Sequence, residues 1–279
     1  MINIPYRAAT FVGQRNRRRF VRRLATLPSV SAAGELPVTV YSFSGERDWP
    51  EQAASVRSFL RFAGLPKRFV VVSDGSHSEE SRRQLERLHP CVSVARLEAA
   101  VKPNLPERIQ QYAARHGLGK KLSVLLSIPV EGPTIYSDSD ILFFPGAHAL
   151  ASLLQSQTYT PRYLLDCWPS LDARLLADEN EKVLPVNSGF LIFGRSLDWS
   201  NALERLAQMA GDCGFFTEQT LVHLAMKASA GEPLPADQFV LRAEDQFVFS
   251  DYYAGKGIAL RHYISSIRSK FWHHTELFN

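Results

Sequence analysis

At 279 residues the chain has room for one large α/β domain or two small ones, and its 45% apolar, 11% aromatic and 22% charged composition is that of an ordinary globular protein. No run of 18 apolar residues occurs and the N-terminus has no continuous apolar stretch, so neither a membrane span nor secretion is expected. The net charge of +4 is local: residues 1–23 hold Arg7, Arg15, Arg17, Arg18, Arg19, Arg22 and Arg23 and no acid, and removing those seven charges from +4 leaves −3 for the body.

The basic segment is the first expected element. Phe20, Val21, Leu24 and Leu27 fall near helical spacing beside the arginines, which predicts an amphipathic helix within an arm of residues 1–35. It reads as an attractant for anionic lipid or a phosphorylated glycan acceptor, or else as a solvated arm folded against the body. Nucleic acid is not an expected partner, because no basic and aromatic interleaving continues into the domain. Cys91, Cys167 and Cys213 are odd in number and share no metal-type spacing, which fits reduced, buried thiols in a cytoplasmic protein.

From residue 36 onward the pattern alternates. Val38–Phe43 predicts a strand, Pro50–Ala63 a helix stopped by Gly64, and Arg68–Ser73 a second strand ending at Asp74-Gly75. A helix over Ser78–His89 and a strand over Val92–Leu97 complete a rhythm that implies a parallel sheet with right-handed crossovers. Residues 105–126 read as mostly helical with a break near Gly117 and Gly119, followed by the apolar strand that carries Asp138-Ser139-Asp140. A helix over Gly146–Gln157, strands over Tyr163–Trp168 and Gly189–Phe193, and helices over Leu197–Ala210 and Phe216–Ser229 come next. Residues 231–238 are a Pro-rich connector, and Arg242–Ser250 is mixed.

Asp138-Ser139-Asp140 is the motif that most needs explaining. In extended chain the two carboxylates point the same way, about 7 Å apart. Two anions in apolar surroundings are costly without compensation, and a hard divalent cation carrying a phosphate ligand supplies it. Further signals occur in order: Lys120-Lys121 lies 17 to 18 residues before Asp138, Asn187-Ser188-Gly189 precedes an apolar strand, Glu218-Gln219 opens a helix, and His262 to Trp272 combines His, small residues, bases and aromatics. Each alone has an ordinary reading: a turn, a helix-dipole partner, a solvated tail.

Taken in order over roughly residues 36–272, these features resemble the GT-A nucleotide-sugar glycosyltransferases, closest to the retaining branch with glycogenin and the bacterial lipopolysaccharide galactosyltransferases. The resemblance implies a single GT-A domain over 36–279, an α/β fold with a mostly parallel central sheet flanked by helices. It implies a hexosyltransferase moving sugar from a nucleotide-diphosphate donor, UDP in this reading, to a glycan, lipid-linked or other hydroxyl acceptor with retention. Asp138, Asp140 and His262 would hold Mn²⁺ or Mg²⁺ against the donor diphosphate. Lys121 would reach donor sugar or phosphate, and Asn187 and Ser188 would line the sugar pocket. Asp166 would hold sugar hydroxyls, and Glu218 and Gln219 would face the oxocarbenium-like centre. The first-strand end, Tyr41, Ser42 and Phe43, together with Asp74 would cradle the uridine. The family's Gly and Lys after its histidine are replaced by Ser265 and Arg268, with Lys270 two further on; either base would take the diphosphate. Glu218 stands where the family has Asp.

The implied location is cytoplasmic, peripheral to the membrane through the basic arm. Two other functions compete. A dehalogenase-type phosphatase needs Thr or Val two residues after the second Asp, where this chain has Leu142. A non-catalytic GT-A-like binding protein would keep the nucleotide without turning it over. The plainest alternative makes Asp138 and Asp140 a solvated turn and His262 a core residue.

Overall fold

The computed structural model describes residues 3–155 and 160–278; Ser156 and Gln157, the end of one expected helix, lie outside the described residues. Its elements in chain order are α1 (Ile4–Leu24), β1 (Glu35–Ser44), α2 (Trp49–Phe62), β2 (Leu65–Ser73), α3 (Glu79–Glu86), β3 (Val92–Arg96), α4 (Leu97–Ala100), α5 (Glu107–Arg115), α6 (Gly117–Ser127), β4 (Thr134–Ser137), β5 (Ile141–Phe143) and α7 (Ala149–Gln155). The second half of the chain adds β6 (Arg162–Leu165), β7 (Val186–Phe193), α8 (Ser200–Gln208), α9 (Thr217–Ala228), β8 (Glu232–Pro233), β9 (Phe239–Val240) and β10 (Leu260–His262).

The central sheet has the order β3-β2-β1-β4-β7-β6-β8. Strands β3, β2, β1 and β4 run parallel, as the alternating pattern requires, whereas β7 runs antiparallel to both of its neighbours. The sequence does not predict that reversal, since a buried apolar run carries no direction of its own. The helical stretch over 105–126 breaks beside Gly117, as its glycines imply, into α5 and α6: His116 separates them with extended backbone and caps α6 by accepting the Leu118 N–H through its ring.

A second, three-stranded sheet, β5-β10-β9, packs beside the first. β10 lies antiparallel to β5 with His262 opposite Ile141, and parallel to β9. The core under both sheets includes Phe59, Phe69, Phe143 and Phe190, whose rings meet edge to face at 5.0 to 6.0 Å.

Helix α1 is docked on the chain's C-terminal segment. Its buried face is Ala9, Gly13, Phe20 and Leu24, and Phe20 packs on Trp272 at 5.3 Å and Phe278 at 5.1 Å. Arg17 pairs with the buried Glu51 at 2.7 Å, and Trp272 donates to the same carboxylate at 2.8 Å. A Cβ on Gly13 would lie 2.3 Å from the Ser269 carbonyl oxygen, so only glycine permits this approach. Arg7, Arg15, Arg18, Arg19, Arg22 and Arg23 remain exposed. Among the described residues no helix is long and apolar enough to cross a membrane.

One buried charge network ties β10 to the segments on either side of it. Arg261 donates to Asp245 at 2.8 and 3.2 Å and also meets Asp251, and Lys270 reaches Asp245 at 2.8 Å. Burial pushes the Asp245 carboxyl up, but Arg261 and Lys270 overcome it and hold the group below the usual carboxylate range. A carboxyl depressed in the folded state stabilises the fold fully above its ordinary value of about 4, and that stabilisation is lost as pH falls toward the folded value. Asp245→Asn is therefore expected to lower stability at neutral pH by about 3–5 kcal/mol, the cost of leaving buried charge uncompensated. Chemical denaturation from neutral to acid pH checks this: the gap between wild type and variant narrows below about pH 4. A gap independent of pH contradicts the assignment.

Candidate functional site

Asp138-Ser139-Asp140 is a turn between β4 and β5 and not part of a continuous strand, which corrects the extended geometry expected from the sequence. The Asp138 N–H donates to the Gly189 carbonyl at 2.7 Å, at the end of the β4–β7 ladder, and the Tyr263 N–H donates to the Asp140 carbonyl at 2.9 Å, where the β5–β10 ladder begins. The turn therefore marks where the chain passes from one sheet to the other. Ligand atoms of Asp138, Asp140 and His262 all lie within 4.8 Å of one another, inside the spacing of about 7 Å between alternate strand positions.

The histidine is oriented by Asn187. The Asn187 Oδ1 accepts the Gly189 N–H at 2.9 Å, which fixes the amide, and the same oxygen lies 3.0 Å from His262 Nδ1. Nδ1 therefore carries the proton. Nε2 faces Asp140 Oδ1 at 3.0 Å, and two such atoms need a proton or a cation between them. Two carboxylates and an imidazole oriented from behind suit a divalent ion such as Mn²⁺. Gly189 is required here, since a Cβ would stand 2.4 Å from the imidazole Cε1.

Both carboxylates also have internal cations. Lys121, buried on α6, lies 2.8 Å from Asp138 Oδ2, 3.1 Å from Ser188 Oγ and 3.8 Å from Glu218 Oε1. Burial works against its charge, yet Asp138 and Glu218 overcome this and raise its pKa. Arg268 binds Asp140 Oδ2 through one amino group and Asp48 Oδ1 through the other at 3.3 Å. Burial would raise the Asp140 carboxyl, but His262 and Arg268 hold it well below the usual range. Glu218 behaves oppositely: burial raises its pKa, Asp138 adds to the rise, and Lys121 opposes it. Its Oε2 accepts from Ser188 at 3.1 Å, while the buried Oε1 has no hydrogen-bond partner among the described residues.

A second set of contacts runs outward from Asn187. Its Nδ2 donates to Asp166 Oδ2 at 3.3 Å and Gln219 Oε1 at 3.2 Å, and Gln219 Nε2 donates to Asp166 Oδ2 at 2.8 Å. Asp140, His262, Asn187, Asp166 and Gln219 thus form one continuous chain of contacts, with Lys121, Ser188 and Glu218 joined to it through Asp138 and the Asn187–Gly189 backbone.

Three expected donor residues stand elsewhere. Ser42 is fully buried and donates to Gln52 Oε1 at 2.6 Å beneath α2, because strand alternation turns it inward. Tyr41 pairs in register with Val70, three residues or about 10 Å short of the Ser44–Ser73 strand edge, and lines a separate cavity with Arg68 and Val72. Lys270 is buried and committed to Asp245 and to the Ser250 carbonyl at 2.7 Å, so Arg268 alone of the two bases reaches the carboxylates. Ser265 is exposed in the turn after β10. Asp74 does lie at the strand edge, and its carbonyl accepts from Lys120 Nζ at 2.7 Å. The cysteines are half-buried instead of buried, and burial beside Asp166 pushes the Cys167 thiol up to about 12.

Two members of the site escaped sequence reading. Tyr136 donates to Asp138 Oδ1 at 2.8 Å, and its ring lies 5.3 Å below Lys121 Nζ. Its position two residues before Asp138 was the available signal. Asp48, the second partner of Arg268, gave none, being an ordinary residue ahead of a helix.

No sequence-family model and no curated protein matches the chain. Solved structures do. The galactosyltransferase LgtC, in complex with donor and acceptor sugar analogues, superposes with a TM-score of 0.55 at 13% identity, covering 86% of this chain and 94% of that one. Mouse xyloside xylosyltransferase 1 gives 0.54 at 12% identity, over 84% of this chain and 99% of that one. The bifunctional glycosyltransferase WbbM gives 0.55 at 13% identity, over 85% of this chain but 47% of that longer one. At such identities the likeness is one of fold, and the chain has the GT-A fold of these glycosyltransferases.

Proposed function

We propose that this chain is a divalent-cation-dependent glycosyltransferase that moves a hexosyl group from a nucleotide-diphosphate sugar, a UDP-sugar in our reading, to a hydroxyl of a glycan or lipid-linked acceptor. The observation that carries the proposal is the convergence of Asp138, Asp140 and His262 from a turn and a distant strand, with all ligand atoms within 4.8 Å and two basic side chains at their edge. Those three residues would hold Mn²⁺ or Mg²⁺, which when bound supplies charge to the donor diphosphate.

The chain's own groups then divide the work. Lys121 and Arg268 stabilise negative charge as the bond between sugar C1 and the diphosphate oxygen breaks. Asp166, Asn187 and Gln219, already joined by hydrogen bonds, orient the sugar hydroxyls. Glu218 sits deeper, against Lys121 and Ser188, where its charge faces the electron-poor sugar centre. In the retaining reading the acceptor oxygen attacks from the face the diphosphate leaves, and the diphosphate takes the acceptor proton, so no side chain need act as base. The uridine would lie at the strand edge marked by Ser44 and Asp74, displaced from the Tyr41 and Ser42 positions. The buried Ser44 hydroxyl there has no hydrogen-bond partner among the described residues.

Calorimetry of UDP binding tests the reading. Binding is expected to require Mn²⁺ and to be lost in Asp138→Ala with Asp140→Ala; UDP affinity unchanged by EDTA contradicts it. Metal-dependent hydrolysis across a panel of nucleotide sugars then separates an enzyme from a protein that only binds, which would turn over none. A phosphatase would instead hydrolyse a generic phosphomonoester without any nucleotide sugar.

The acceptor side of the proposal rests on α1. Ile4 and Phe11 are 73% and 67% exposed, and with the exposed Arg15, Arg18 and Arg22 they share one face, opposite the buried Ala9, Gly13, Phe20 and Leu24. Two apolar side chains in line with arginines suit an anionic membrane surface, where each arginine contributes roughly 1 kcal/mol. The protein is expected to co-sediment with phosphatidylserine vesicles and not with pure phosphatidylcholine, and Arg15→Glu, Arg18→Glu and Arg22→Glu together should abolish this. Equal binding to both lipids, or retention by the triple variant, contradicts the membrane role.

A further inference from the structure

Asp140 carries two partners that cannot both stay when a divalent ion enters. Its Oδ1 faces His262 Nε2 at 3.0 Å, and its Oδ2 is bound by the Arg268 guanidinium. The Asp140 side chain is 8% exposed, so its charge is little screened, while the Arg268 side chain is 34% exposed and has open space on one side. The second amino group of Arg268 is held by Asp48 Oδ1 at 3.3 Å, and Asp48 is itself 30% exposed. Among the described residues the buried Arg268 Nε–H, finally, has no hydrogen-bond partner.

We propose that Arg268 and the divalent ion exclude one another at Asp140, and that Arg268, tethered by Asp48, is handed from Asp140 to the donor diphosphate as the site fills. This rests on the metal-dependent reading of the site given above. A unit charge and a double charge on one carboxylate repel twice as strongly as two unit charges would at the same distance. The ion therefore displaces the guanidinium, and the Asp48 contact keeps it beside the site instead of releasing it to solvent. The freed fork, with its unpartnered Nε–H, then presents parallel donors to a phosphate, the geometry in which arginine binds such groups best. Before loading, the same side chain keeps a buried carboxylate compensated. Asp48 thereby acquires a role as a positioning residue, through Arg268.

Mn²⁺ binding followed by electron paramagnetic resonance without nucleotide tests the exchange directly. Arg268→Gln is expected to bind Mn²⁺ about tenfold more tightly than wild type, as removal of one repelling charge at a partly exposed site implies. It should also bind UDP about tenfold more weakly at saturating Mn²⁺, having lost a charge-assisted pair. Asp48→Asn should weaken Mn²⁺ binding in wild type and have no effect in the Arg268→Gln background, since its action passes through the guanidinium. Arg268→Lys, which keeps the charge and loses the fork, should leave Mn²⁺ affinity near wild type and still weaken UDP. Equal Mn²⁺ affinity in wild type and Arg268→Gln, or an Asp48→Asn effect that persists without Arg268, overturns the exchange and leaves the metal site standing. Absence of Mn²⁺ binding in every variant overturns the metal site and the exchange together.

Discussion

The pairing of β10 with β5 places the chemistry of this molecule. His262 lies opposite Ile141, the residue after Asp140, and the next residue along donates its N–H to the Asp140 carbonyl. Backbone hydrogen bonds thus bring an imidazole 122 residues distant in sequence into contact with a carboxylate at the junction of two sheets. A shift by one residue would turn His262 to the opposite face and put Arg261 or Tyr263 in its place. The register is held by its flanks: Arg261 is anchored in the Asp245 and Asp251 carboxylates, and Tyr263 donates to Asp251 at 2.8 Å.

Burial sets the second constraint. Asp140 and Glu218 are nearly inaccessible, as are Lys121 and His262, so each charge must find its counterpart inside the protein. Lys121 serves Asp138 and Glu218, and Arg268 serves Asp140 and Asp48. The cluster is thus compensated by the protein's own cations. Glu218 and Arg268 each keep one buried polar atom without a hydrogen-bond partner among the described residues, which is consistent with a site shaped for a group that comes from outside.

Much of this was legible in the chain. The alternation of β-branched runs with helical spacing predicts the parallel strands β1 to β4, and Phe20 and Leu24 mark the face by which α1 docks. The order Lys121, Asp138, Asp140, Asp166, Asn187, Ser188, Glu218, Gln219, His262 and Arg268 reads as a set through family resemblance, and the structure gathers those residues together. The failures have local reasons. The alternation rule assumes an unbroken strand, whereas Asp138 to Asp140 is a turn between sheets. Tyr41 and Ser42 are expected at a strand end that lies instead at Ser44. Lys270 and Arg268 are equally plausible bases in sequence, and only the 3₁₀ helix over Arg268–His273 turns one toward Asp140 and the other toward Asp245. Asp48 carries no pattern at all, because its role depends on a partner 220 residues away.

In the proposed reaction Asp138, Asp140 and His262 together hold a divalent cation against a nucleotide diphosphate. A crystal grown with Mn²⁺ and UDP, with diffraction collected at the manganese absorption edge, tests that arrangement. One anomalous peak is expected, bounded by those three side chains, with the UDP diphosphate in contact with it and Arg268 turned from Asp140 to a phosphate oxygen. Ordered UDP with no peak at this position, or a peak held by other residues, would contradict it.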